Sequence, residues 1–223
     1  MKFEDTSVYN IYNAILGARN PKNSWNKSDS VFKGYNGKIE NTEIGENDLK
    51  LAQTLIKAGS EHRKFMRQIF VSVDITAPIY WWKEFDTYKV GTVANSTSTM
   101  HKLTSTPITE ECFEHEELSE RINPMSEVIK RHRLSDIDYL ERLRKEYDNI
   151  VNKDIKREIW KALIEDLPES WLQTRTITMN YENLYSIVRH RKNHKLTEWS
   201  ESFMAWVKTL PYAEELIFIG LEK

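Results

Sequence analysis

The passage 69-IFVSVDITAPIYWWKEFDTYK-89 constrains the fold most. Ile69, Val71, Val73 and Ile75 alternate with Ser72, Asp74 and Thr76, a period of two that a half-buried strand satisfies and a helix does not. Pro78 lacks the N–H that would continue a ladder, and its fixed φ suits the first turn of a helix through 79–89. Successive helical residues point about 100° apart. One of the adjacent Trp81 and Trp82 is therefore expected to face the core, the other a cavity or a subunit interface. Gly91 then breaks into Thr92, Asn95, Ser96, Thr97, Ser98 and Thr99, read as a loop able to surround a small polar molecule with donors.

The remaining pattern is mostly helical. Asp48 is expected to cap a helix over 49–58, with Leu49, Ala52, Leu55 and Ile56 on one face and Gly59 ending it. Residues 126–166 read as helical, with amphipathic stretches at 137–151 and 155–167. Asn180 caps 181–191, and a further helix covers 196–210. The apolar tail 211–220 docks on the core. Residues 17–38, rich in Gly, Asn, Ser and Lys, read as loop, as does the acidic stretch from about Glu110 to Pro124. No linker composition interrupts the chain, so one α+β domain over 1–223 is expected.

With 223 residues, 11% of them aromatic, the chain can bury a sizeable core despite a charged fraction of 30%. A balance of 32 basic against 34 acidic residues gives no general case for nucleic acid or an anionic membrane and leaves room only for a local basic patch. Cys112 is the only cysteine, so an internal disulfide is impossible and a reducing, cytoplasmic setting is expected. No apolar run reaches the roughly 20 residues that span a bilayer.

Several chemistries are absent. His190 and His194 are four apart, but Arg191, Lys192 and Lys195 surround them and repel a cation, so no metal site is expected. Carboxylates flank Cys112 in 109-TEECFEHEE-117 and disfavour a thiolate nucleophile. No G-x-S-x-G elbow or glycine-rich phosphate loop occurs. Any demanding chemistry here would belong to a bound cofactor. The basic run 189-RHRKNHK-195 suits either a helix C-terminus or capture of a phosphate by Arg189 or Arg191.

The order of parts resembles the flavin-dependent thymidylate synthases. That family carries an A-A-R segment, a helix ending at a histidine-rich turn, a strand, A-P, and a helix bearing Q-x-x-R-H-R-x7-S. Here these correspond to 17-GARNPKNS-24, 58-AGSEHRKFMRQ-68, the strand, 77-API-79, and Glu84, Thr87, Tyr88, Lys89 and Thr97. The later 173-QTRTITMNYENLYSIVRHR-191 is similar to Y-x-R-x5-N-x-R-x-L-x-x-F-L-x-x-R, and 196-LTEW-199 to A-Q-x-E. The resemblance covers the whole chain in order and rests on spacing more than identity. Thr87 and Lys89 replace two arginines, Tyr88 a histidine and Thr97 a serine. Thr99 stands where an arginine normally closes the loop.

The resemblance implies a central antiparallel sheet with flanking helices, and a homotetramer with sites between subunits. It implies transfer of a one-carbon unit to C5 of a pyrimidine deoxynucleotide, with FAD, NADPH and methylene-tetrahydrofolate taking part. Carried over by position, Glu84, Asn95, Ser96, Thr97, Ser98 and Arg175 would contact the nucleotide. His62, Thr87, Tyr88, Lys89, Arg189 and Arg191 would contact FAD, and Lys89 and Thr97 would serve at the reacting centre. Glu84 in place of glutamine offers only an acceptor, which suits the cytosine amino group. The altered arginines leave a second reading, a nucleotide-binding homologue without flavin chemistry. A third is an interaction protein that uses the aromatic helix as an interface.

Overall fold

In a computed structural model, residues 1–35, 38–117 and 124–221 are described. Strands β1 (Lys2–Tyr9), β4 (Phe70–Pro78), β6 (Leu172–Asn180) and β5 (Val93–Ser96) form one sheet in the order β1-β4-β6-β5. Strand β2 (Val31–Tyr35) pairs antiparallel with β3 (Lys38–Glu43). This hairpin falls partly where composition predicts loop, because Val31 and Phe32 give too short an apolar run to stand out among Asn, Gly, Ser and Lys. Of the second expected loop, residues 118–123 lie outside the described ones. Glu110–Cys112 form a 3₁₀ turn, and Phe113 bridges Trp171.

The chain divides into two compact units. The first comprises Met1–Lys2, Thr76–Asp86 and Asn95–Arg175, and the second Phe3–Ile75, Thr87–Ala94 and Thr176–Lys223.

In the first unit, Leu103, Ile108, Phe113, Ile137, Leu140 and Leu163 form a core under helices α5 (Ser126–Asn149) and α6 (Lys153–Glu165). Glu141 pins the preceding loop to α5. Its carboxylate accepts two bonds from Arg144 at 2.7 and 2.8 Å and one from the Ile108 N–H at 2.8 Å. Those bonds, the Arg144 pair foremost, hold its pKa down at about 2. Helix α3 (Ile79–Phe85) corrects one expectation: Trp81 and Trp82 are both wholly buried. Their rings meet edge to face at 4.9 Å, and Phe85 lies 5.2 and 5.5 Å from them. A short helix covered on more than one side can bury adjacent positions, which a single amphipathic face cannot.

In the second unit, Ile69, Val71, Val73 and Ile75 are fully buried while Phe70 is 43% exposed, as the alternation requires. Helix α2 (Glu46–Ala58) begins earlier than expected, with Gly45 at its N-cap, and ends at Gly59 at φ 115°. Asp48 is not its cap. The cap carboxylate is Asp29, which accepts from the N–H groups of Asn47 (2.9 Å) and Asp48 (3.1 Å). Helix α7 (Tyr181–Arg191) starts where expected. The Asn180 side chain accepts from the Asn183 N–H at 3.0 Å, and the Asn183 side chain accepts from the Asn180 N–H at 3.1 Å. The helix expected over 196–210 divides into a π-turn, Glu198–Phe203, and α8 (Met204–Lys208). Trp199, Phe203 and Val207 are buried, and the tail residues Ala213, Leu216 and Ile217 are also buried.

Gly91 sits against the α7 cap. Its φ is +79°, and a Cβ there would lie 3.2 Å from Asn180 Nδ2 and 3.3 Å from Asn183 Oδ1. Asn183 Nδ2 also donates to the Val90 carbonyl at 2.6 Å, so the cap cannot retreat without losing that bond. Gly91→Ala is expected to destabilise by about 1–3 kcal/mol, through a left-handed backbone and displaced cap side chains. An unchanged melting temperature would contradict this.

Candidate functional site

The twelve expected contacts separate by unit. Glu84, Asn95, Ser96, Thr97, Ser98 and Arg175 belong to the first, and His62, Thr87, Tyr88, Lys89, Arg189 and Arg191 to the second.

In the first unit the hydroxyl run is not a loop wrapped around a guest. Val93–Ser96 is strand β5, and Asn95, Ser96, Thr97 and Ser98 are all exposed. Alternating Val93 and Asn95 with Ala94 and Ser96 serves an edge strand as well as a loop, and periodicity over four residues cannot separate the two. Ser98 caps the short helix α4 (Thr99–Lys102), its Oγ accepting from the His101 N–H at 3.3 Å. Thr97 donates its N–H to the Thr174 carbonyl at 2.9 Å. Glu84 is half-buried on α3.

Arg175 is the most fixed of the six. Its side chain is 17% exposed, and its guanidinium lies 4.2 Å over the Trp82 ring. Its Nε donates to Gln173 Oε1 at 2.9 Å and its Nη1 to Asp86 Oδ1 at 3.0 Å. Gln173 Nε2 donates to the Thr97 carbonyl at 2.9 Å, so one amide ties Arg175 to the start of the serine–threonine run. The Gln173 carbonyl in turn accepts from Trp82 Nε1 at 2.9 Å. Nη2 of Arg175 has no hydrogen-bond partner among the described residues. Asp86 and Gln173 are residues that sequence reasoning misses. Neither carries a local signal, since each acts through a partner that the sheet brings to it.

In the second unit the expected set is dispersed in role. His62, Thr87 and Lys89 are exposed. Arg191 Nε donates to the Tyr88 hydroxyl at 2.9 Å, and its guanidinium lies 5.0 Å from the Trp199 ring and 5.4 Å from the Tyr88 ring. Arg189 faces the chain itself. Nη1 donates to the carbonyls of Tyr185 (3.0 Å) and Ile217 (2.8 Å), and Nη2 to that of Ile219. Its guanidinium is 3.2 Å from the Tyr185 ring centroid. Burial, with the nearby Arg63 charge, lowers its pKa from the usual arginine value. Arg63 lies 4.4 Å over the same Tyr185 ring and binds Glu182 at 2.9 and 3.0 Å.

Among the described residues no group of three metal-ligating side chains occurs, and no helix is long and apolar enough to cross a membrane. No protein-family model and no curated protein matches the sequence. Among solved structures, the chain is similar to the flavin dependent thymidylate synthase ThyX from Helicobacter pylori complexed with FAD and dUMP. Identity is 17%, the TM-score is 0.67, and 100% of each chain is covered. A second structure of that protein with FAD and dUMP gives 17% identity and a TM-score of 0.67 over 98% of each chain. The fold is therefore that of ThyX, helices combined with antiparallel sheet, as the order of parts in the sequence implies.

Proposed function

We propose that this chain is a pyrimidine-deoxynucleotide-binding protein on the thymidylate synthase fold, without flavin chemistry of its own. The observation that carries the nucleotide reading is Arg175. Clamped by Gln173 and Asp86 and seated on Trp82, it holds Nη2 ready for an anionic oxygen with little side-chain entropy left to lose. Thr97 and Ser98 supply neighbouring hydroxyls, and Glu84 an acceptor for a base amino group.

The absence of flavin chemistry from this reading is supported by the cations expected to hold the cofactor. Arg189 spends its donors on carbonyls of its own chain, and Arg191 is engaged by Tyr88 and Trp199. Thr87 and Tyr88 add no formal positive charge. Of the expected basic groups only His62 and Lys89 are exposed, a sparse set for the two phosphates of FAD.

The enzyme reading is favoured by a different observation, the full-length likeness to a protein crystallised with FAD and dUMP. Under it, Lys89 and Thr97 act at the reacting centre of a homotetramer. The one-carbon unit for C5 would then come from methylene-tetrahydrofolate, and the reducing equivalents from NADPH by way of bound FAD.

Calorimetry with deoxyuridylate and deoxycytidylate, with the visible spectrum after FAD is added, separates the readings. The expected result is binding of a pyrimidine monophosphate, weakened at least ten-fold in Arg175→Ala, with no flavin absorbance retained after desalting. Retained FAD would establish the enzyme reading. Failure of both monophosphates to bind would remove the nucleotide assignment.

A further inference from the structure

We infer a second anion site on the helical hairpin of the first unit, shaped for a nucleoside polyphosphate. Lys153, Lys156, Arg157 and Trp160 stand at i, i+3, i+4 and i+7 of α6, so all four share one helix face. Tyr147 of α5 completes a cleft of about 320 Å³ with them.

The charge pattern there opposes what helix stability alone selects. Lys153 and Arg157 form a like-charge i, i+4 pair, and these cations add to the positive end of the helix dipole, which Asp154 in the first turn offsets only in part. Four other cations of the hairpin pair with carboxylates: Arg142 with Asp138 (3.3 Å), Arg144 with Glu141 (2.7 Å), Lys145 with Glu141 (3.6 Å) and Lys161 with Glu165 (3.0 Å). Among the described residues Lys153, Lys156 and Arg157 have no such carboxylate. An anion would supply what the chain omits.

The two aromatics hold the walls. Lys156 Nζ lies 4.4 Å over the Tyr147 ring, and Trp160 Nε1 donates to the Met100 carbonyl at 3.2 Å, which fixes the indole plane. The helix amides are not the binding groups. Asn152 Oδ1 already accepts from the N–H groups of Asp154 (3.0 Å) and Ile155 (3.3 Å), so a guest meets the side-chain stripe.

Three cations along little more than one turn match several adjacent phosphates better than one. Flat ring faces beside them match a base. The cleft is shallow and open to solvent, and its volume of about 320 Å³ lies at the lower end of the range for small-molecule sites. Its four-residue stripe is too short for the charged track that a nucleic-acid strand follows. None of these residues belongs to the Arg175 arrangement, so this site stands or falls separately.

The test uses the full chain, with the purine nucleotides GTP and ATP as nucleoside triphosphate probes, followed by calorimetry and by tryptophan fluorescence. Inorganic tripolyphosphate and adenosine are run alongside. Both triphosphates are expected to bind and quench fluorescence. Lys153→Glu/Arg157→Glu lowers affinity at least ten-fold, and Trp160→Phe abolishes the quench. If the double glutamate variant loses helix by circular dichroism, Lys153→Gln/Arg157→Gln carries the same prediction. Triphosphate affinity unchanged in these variants, or no triphosphate binding at all, overturns the site. Tripolyphosphate binding as tightly as ATP overturns the nucleoside part of the inference.

Discussion

Replacing Asp48 by alanine is expected to cost about 3–5 kcal/mol, the range for removing one partner of a buried charge pair. Asp48 is 1% exposed and Arg19 5%. Oδ1 of Asp48 accepts from Arg19 Nε, and Oδ2 from the Ser28 hydroxyl at 2.6 Å, the Ser30 N–H at 3.2 Å and the Ser30 hydroxyl. Without the carboxylate, Arg19 remains buried with a weak bond to the Ser24 carbonyl at 3.4 Å, and the two serine hydroxyls lose their acceptor. The loop from Arg19 to Ser30 is then held to the start of α2 mainly by the Asp29 cap, whose backbone donors the substitution leaves in place. Arg19→Ala should cost nearly as much, and the double variant less than the sum of the two, because each single change strands the other partner.

The same network predicts an acid sensitivity. Burial alone would raise the Asp48 pKa. The Ser28, Ser30 and Arg19 hydrogen bonds and the Arg19 charge reverse this and lower it. A folded-state pKa below the unfolded value of about 3.9 gives stability that is complete above about pH 5 and is lost as pH falls through the folded value. Denaturant midpoints measured between pH 7 and pH 3 should therefore fall less in Asp48→Asn than in the parent chain. Parallel curves would show that Asp48 does not titrate differently in the folded state.

Asp48 also shows where sequence reading reaches its limit. Its position, just before an apolar-periodic run, is what a helix cap looks like. Its true partner is 29 residues away in a segment whose Gly, Asn and Ser content reads as loop. The β4 alternation and the α7 cap were legible because each is set by residues within one short window. The Trp81–Trp82 pair was not, since helical periodicity states which faces diverge but not how many neighbours cover them. The order of parts along the chain was sufficient for the fold class. The site was less legible: the Arg175 clamp depends on Gln173 and Asp86, and the latter is 89 positions away in sequence. Spacing aligned Arg189 with a cofactor contact because the motif fixes where a cation stands along a helix. It does not fix which way the guanidinium turns.

That orientation leads to the second large effect. Arg189→Ala is expected to destabilise by about 3–5 kcal/mol. The guanidinium donates to the carbonyls of Tyr185, Ile217 and Ile219, so it ties α7 to the tail segment Ala213–Ile217 and the residues just beyond it. Charged hydrogen bonds contribute about 1.5–3 kcal/mol each, and the orphaned carbonyls add a desolvation penalty. Arg189→Lys recovers only part of this, because a single ammonium cannot reproduce the planar fork that reaches two tail carbonyls at once. Amide exchange should quicken over residues 213–221 in both variants, more in alanine than in lysine, while α2 keeps its protection. A cofactor-contact role predicts the opposite pattern, with parent-like stability and exchange in ligand-free protein. If the Arg189→Ala chain melts with the parent, the latch assignment is wrong and the cation returns to the list of groups free to meet an anionic guest.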